Sequence, residues 1–225
     1  MSVPLIFQQK QNNIFFHIAT IGNYQEVVDE LVNLISKITL FSNIFVGIVG
    51  DGYVNLPNNY KILYRNSNLQ SWEFPTLACI KDYCKNRNCN ILYIHTKGVS
   101  AIPQLKEAAN DWRQYMSYFC IEKADKCINF LKEYDIVGVE WAVDPVPHFC
   151  GNFWWATSQY INKLPEISFI TKEENRIWTH IKYNAEFWVG MNKNAKLLVL
   201  FHTGIHNYQR HLYTYKRNRY IRESF

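Results

Sequence analysis

The chain has 225 residues, 48% hydrophobic and 16% aromatic with only 19% charged, a balance that excludes an intrinsically disordered polypeptide and predicts a buried core. Twenty-four Lys and Arg against 19 Asp and Glu leave a net charge of +5, a mild excess that suits phosphate-bearing ligands without identifying one. The longest apolar runs, such as 44–49 and 197–201, fall far short of the roughly 20 residues that span a bilayer, and 1–11 lacks the regions of a secretory signal, so the expectation is an intracellular, cytoplasmic protein.

In chain order, Asn13 to Thr20 is a strand-like apolar run, broken by Gly22-Asn23-Tyr24 before Val27, Leu31, Leu34 and Ile35 recur at helical spacing. Asn43 to Val49 is a second β-branched run closed by Gly50-Asp51-Gly52, and Tyr60 to Tyr64 a short third. Pro75 opens a helix carrying Leu77, Ile80 and Cys84 on one face, and Asn90 to His95 is another buried strand. Leu105 to Leu131 has the pattern of two successive helices, and Tyr134 to Val139 returns to strand. His148 to Ala156 reads as one strand, Tyr160 to Leu164 as a short helix stopped at Pro165, and Lys196 to His202 as a late strand. Runs without polar alternation, separated by helices, predict an α/β fold whose sheet is mainly parallel and covered on both faces. No repeat or flexible linker divides the chain, so residues 1–225 are read as one domain.

The six cysteines, at 79, 84, 89, 120, 127 and 150, lack zinc-knuckle spacing and sit in a long chain with a core of its own, so free thiols are expected. Neither GxGxxG nor GxxxxGK[ST] occurs, which removes Rossmann dinucleotide and P-loop chemistry. In open α/β sheets ligands bind beyond the carboxyl ends of strands. That rule selects Thr20, Gly22, Asn23 and Tyr24 after the first strand, Asp51 after the second, His95-Thr96-Lys97 after the fourth, Gly151-Asn152, and His202-Thr203-Gly204. Lys97 offers a fixed cation to a diphosphate. Trp154 and Trp155, being adjacent on a strand, must face opposite layers, so either one stacks on a sugar ring or both close separate core layers. Glu186, flanked by Ala185, Phe187 and Trp188, is the stronger catalytic carboxylate, its apolar setting expected to raise its pKa; Asp111, beside Arg113, is the second.

The tail from Tyr208 holds Arg210, Lys216, Arg217, Arg219 and Arg222 among Tyr208, Tyr213, Tyr215 and Tyr220, with no acid before Glu223. This basic, tyrosine-rich segment (208–225) is expected either to touch an anionic membrane or glycolipid surface peripherally or to pack as a C-terminal helix. A nucleic-acid role has only the tail in its favour, since no RRM, zinc-finger or helix-turn-helix signature is present.

The segments EFPTL (73–77), YIHTKG (93–98), DWRQYM (111–116), HFCGNFWWATSQYINKLP (148–165) and YNAEFW (183–188) together resemble a family of glycosyltransferase-like proteins of bacteria and large viruses, similar to the GT-A nucleotide-sugar enzymes. The resemblance covers most of the chain. It implies a single GT-A-like domain with a central, mainly parallel mixed sheet flanked by helices. It also implies transfer of a sugar from a nucleoside-diphosphate donor, UDP first, to a hydroxyl of a glycan, glycolipid or protein. GT-A enzymes carry Asp-x-Asp after the strand that here ends His95-Thr96-Lys97, and no Asp-x-Asp occurs in this chain. Lys97 is therefore expected to meet the diphosphate directly, with Mn2+ or Mg2+ left open through His202 and His95. On this resemblance Thr20, Gly22, Asn23, Tyr24, Asp51, His95, Thr96, Lys97, Arg113 and His202 hold the donor. His148, Gly151, Asn152, Trp154 and Trp155 shape the sugar or acceptor pocket, and Glu186 and Asp111 serve the chemistry. The alternative is the same fold as a non-catalytic sugar- or nucleotide-binding module.

Overall fold

The computed structural model describes residues 10–222. The reading of 1–9 as free of a signal, and Glu223 to Phe225 of the tail, lie outside the described residues. A seven-stranded sheet forms the centre, built from β1 (Gln11–Ala19), β2 (Asn43–Val49), β3 (Tyr60–Asn66), β4 (Cys89–His95), β5 (Ile136–Gly138), β8 (Trp154–Thr157) and β9 (Leu197–Val199). A small ribbon pairs β6 (Trp141–Ala142) with β7 (His148–Phe149). The helices are α1 (Tyr24–Ile35), α2 (Phe74–Cys84), α3 (Lys106–Ser117), α4 (Ala124–Phe130), α5 (Ser158–Ile161), α6 (Ile167–Ile170) and α7 (Tyr183–Phe187). The expected α/β class and mainly parallel mixed sheet are what the chain forms.

The spatial order is β3-β2-β1-β4-β8-β5-β9. Strands β1 to β4 run parallel, β8 runs antiparallel to both β4 and β5, and β9 is parallel to β5. From β1 the chain steps outward to β2 and β3, then returns to place β4 on the other side of β1. The reversal leaves a crevice between the carboxyl ends of β1 and β4, where open α/β sheets accept ligands.

Alternation along the strands divides the interior in two. Ile14, Phe16, Ile18, Leu92, Ile94 and Trp155 face α1, α3 and α4, whereas Phe15, Ile91, Tyr93 and Trp154 face α2 and the short helices. Helix α1 fits the first face because Val27, Val28, Leu31 and Ile35 form one apolar stripe, each worth roughly 1.5–3 kcal/mol when buried. A π turn (Tyr118–Glu122) joins α3 to α4, making two helices of the long pattern, as expected. The other faces of the short helices are fixed by side-chain ties. The buried Lys81 ammonium, for example, donates to the carbonyls of Ile161, Asn162 and Leu164 at the C-terminal end of α5 and just beyond it.

Two expectations are corrected. The run from His148 to Ala156 is not one strand: Gly151 (φ +88°) and Asn152 (φ +60°) turn it, so β7 joins the ribbon and β8 the main sheet. A Cβ at Gly151 would meet Met116 Sδ at 2.6 Å, which reserves the turn for glycine. The tail forms 3-10 turns rather than an α-helix, and of its cations Arg210 is buried while Lys216, Arg217, Arg219 and Arg222 remain exposed. Lys216 bonds Glu107 at 2.6 Å and pairs with Asp111, while Arg217 grips both oxygens of Glu122 at 2.7 and 2.6 Å. Arg219 lies over the Tyr215 ring. These pairings dock the tail on α3 and the π turn. No helix among the described residues is long and apolar enough to cross a membrane.

Candidate functional site

A cleft of about 420 Å³ opens at the crevice between β1 and β4. His17 and Ala19 come from the end of β1, His95, Thr96 and Lys97 from the end of β4, Glu73 from the start of α2, Trp112 from α3 and Glu186 from α7. Thr96 secures the floor by accepting the Ala19 N–H at 3.0 Å. Lys97 projects beside Trp112, its Nζ 4.4 Å from the indole centroid, so a cation stands on an aromatic wall.

Glu73 is the residue that the sequence left without a role. It immediately precedes Phe74-Pro75, at the N-terminus of α2, where the aligned peptide dipoles favour a carboxylate. Its Oε2 accepts the Tyr93 hydroxyl and the Asn152 amide, each at 2.6 Å, and its Oε1 lies 3.8 Å from His95 Nδ1. Burial pushes the Glu73 carboxyl up, but His95, His17, the Tyr93 hydroxyl and Lys97 together outweigh it and hold the group below the ordinary carboxylate range. An acid directly before a Pro-started helix was the available signal. Its partners, 20 and 79 residues away, were not.

The two histidines differ. His95 Nε2 donates to the Gly151 carbonyl at 2.9 Å, which fixes the proton on that nitrogen and turns Nδ1 toward Glu73. His17 is 2% exposed with Nδ1 2.8 Å from Thr76 Oγ1, which in turn contacts the Tyr64 hydroxyl. Burial, with the Glu73 charge opposing it and the His95 charge adding to it, drives His17 down to about 4. It is a neutral group at neutral pH.

Glu186 reaches the cleft as expected, but its surroundings are not those its sequence neighbours suggested. On a helix adjacent residues point in different directions, so Ala185 and Phe187 turn into the protein while the Glu186 carboxylate accepts the Gly151 N–H at 2.6 Å. The Gly151 peptide thus joins both sides of the cleft, its carbonyl to His95 and its N–H to Glu186.

Other expected site residues stand elsewhere. Trp154 and Trp155 are fully buried in opposite cores. The Trp154 indole donates to Asn152 Oδ1, and that of Trp155 donates to the Cys120 carbonyl. Neither offers a face to a sugar. Asn152 is occupied by Glu73 and Trp154. His148 is buried against Phe187 with Nδ1 donating to the Val146 carbonyl. Arg113 is 5% exposed and committed to Glu30, Asn110 and the Lys97 carbonyl, so it positions Lys97 rather than meeting a donor. Asp111 pairs with Lys216 outside the cleft lining.

Thr20 bridges the Val49 carbonyl and the Gly52 N–H, the Tyr24 hydroxyl donates to the Tyr53 carbonyl, and the Asn23 amide donates to Glu26. Gly22 (φ +58°) lies so close to the Val99 carbonyl that a Cβ would collide with it. These residues build the rim without lining the cleft, and Asp51 is exposed on the turn after β2. His202 lies 3.8 Å from Glu140 and away from the cleft lining, so it does not join His95. Divalent-metal chemistry does not fit these donors. Glu73 Oε2 and His95 Nε2 are already engaged, and among the described residues no group of three His, Cys, Asp or Glu side chains converges.

The family model described as Domain of unknown function (DUF8361) matches residues 12–209, so the chain belongs to that family. No curated protein matches it.

Proposed function

We propose that this DUF8361 chain is a glycosyltransferase of GT-A type that takes its sugar from a nucleoside diphosphate, UDP first, and passes it to a hydroxyl of a glycan, glycolipid or protein. The observation that carries this reading is the cleft at the β1/β4 reversal, with Lys97 on one wall and Glu73 and Glu186 on the others. A lysine on an indole face is a fixed, partly desolvated cation suited to the negative charge that develops on a departing diphosphate. Glu186 has one oxygen tied to Gly151 and presents a carboxylate for an acceptor hydroxyl. Glu73, held by Tyr93 and Asn152, stands 3.8 Å from His95 Nδ1, while the Gly151 carbonyl orients the ring.

Thermal melts with UDP, GDP, CMP and their sugars, each with and without Mn2+, test the reading. A bound nucleotide at 100 times its dissociation constant adds about 2.7 kcal/mol of stability. A protein indifferent to the whole panel would end the proposal. A second reading, a binding module without turnover, is favoured by the absence of Asp-x-Asp from the sequence. Nucleotide binding without donor hydrolysis or transfer would select it.

A further inference from the structure

Between α3 and the tail lies a buried group that the cleft chemistry above does not use. Arg210 is fully buried, and its Nε, Nη1 and Nη2 have no hydrogen-bond partner among the described residues. The guanidinium sits 5.5 Å from the Trp112 ring, 5.2 Å from Tyr115 and 5.6 Å from Tyr215. The buried indole Nε1 of Trp112 is likewise unpartnered. Taking a guanidinium out of water without hydrogen bonds is costly, and aromatic faces offset only part of the loss. Glu140 and Asp111 lie within electrostatic range but accept none of its N–H groups. These donors call for an oxygen acceptor.

Trp112 connects them to the cleft. Its ring lines the cleft and supports Lys97 Nζ, and His211, next to Arg210 in the chain, lines the cleft as well. Lys97 and Arg210 therefore flank one indole. The segment carrying Arg210 is a run of 3-10 turns whose flanks are exposed while Arg210 itself packs inward. Asn207 donates to the Asp144 carbonyl at 2.7 Å, Tyr208 stacks on Trp178, and Leu212 and Tyr213 are about half exposed. Local opening of such short turns is the route by which an anion reaches a side chain that is otherwise enclosed.

We propose that Arg210, with the Trp112 indole N–H, is a second oxyanion-binding group of the cleft, brought onto a phosphoryl group by residues 205–213 acting as a strap. A planar guanidinium can take two phosphoryl oxygens at once, a geometry the Lys97 ammonium lacks. The inference rests on the reading of the cleft as a diphosphate site.

Calorimetry with inorganic pyrophosphate and with UDP, on wild type, Lys97→Ala, Arg210→Met and Arg210→Lys, tests it. Hydrogen exchange of 205–213 with and without pyrophosphate accompanies the titrations. Arg210→Met is expected to weaken pyrophosphate binding roughly 10- to 100-fold, the loss of charge-assisted hydrogen bonds, with Arg210→Lys in between. Pyrophosphate should slow exchange across the strap of the wild type. A folded Arg210→Met that binds as wild type, while Lys97→Ala loses affinity, overturns the Arg210 assignment and leaves the cleft reading intact. If Arg210→Met does not fold, Arg210→Lys with wild-type affinity and a strap that gains no protection overturns it equally. A wild type that binds neither probe removes both.

Discussion

The backbone N–H of Gly151 donates to Oε1 of Glu186 at 2.6 Å, across 35 residues of sequence. Because the same peptide accepts His95 Nε2 at 2.9 Å, a change at Glu186 is felt on the opposite side of the cleft. Glu186→Gln is the discriminating substitution, since the amide oxygen can still accept the Gly151 N–H while the basicity is gone. Folding and UDP binding should be retained, and transfer should fall about 100-fold or more, the usual scale of a general base. A variant that transfers sugar at the wild-type rate would take Glu186 out of the mechanism.

What the sequence disclosed and what it hid follow from the range of the forces involved. The runs 13–20, 43–49 and 90–95 announce strands because they are buried on both faces of a parallel sheet, a local property of composition. Period two also required Trp154 and Trp155 to separate, though not which of them, if either, would meet a ligand. Both are closed off by partners remote in sequence, Tyr93 for one and Phe41 for the other. Glu73 became visible only when Tyr93 and Asn152 converged on it, and the tail's ion pairs only when α3 lay beneath them. Lys97 and Glu186 were legible because ends of strands and lone acids are local signals. Pairings across 80 residues are not.

His17 gives the fold an acid-sensitive element. Its native pKa of about 4 lies below the value near 6.5 of an unfolded histidine. Between those values the unfolded chain binds a proton that the native state refuses. Stability is therefore full above about pH 6.5 and falls as pH drops through the window toward 4, by about 3 kcal/mol in all. Glu73, held below its ordinary value, adds a loss of the same sign at lower pH. In His17→Asn the slope between pH 6.5 and 4.5 should flatten by close to one proton, read from urea midpoints across that range. An unchanged slope would show that His17 is not the group responsible.

Lys97 separates binding from architecture. Its ammonium rests on Trp112, an interaction worth about 0.5–1 kcal/mol where partly exposed, and its backbone carbonyl is fixed by Arg113 at 3.0 Å whatever side chain it bears. Lys97→Ala should therefore melt within a few degrees of wild type. The same variant should bind UDP more weakly by about 1.5–3 kcal/mol, because a charge-assisted contact to phosphoryl oxygen is lost from a walled cleft. The loss should shrink in high salt, where screening already weakens the wild-type attraction. Lys97→Arg keeps the charge and should recover most of the affinity. Calorimetry at two salt concentrations decides the matter: equal affinities for wild type and Lys97→Ala at low salt would mean that the lysine only braces the indole and that the diphosphate, if bound, is held elsewhere.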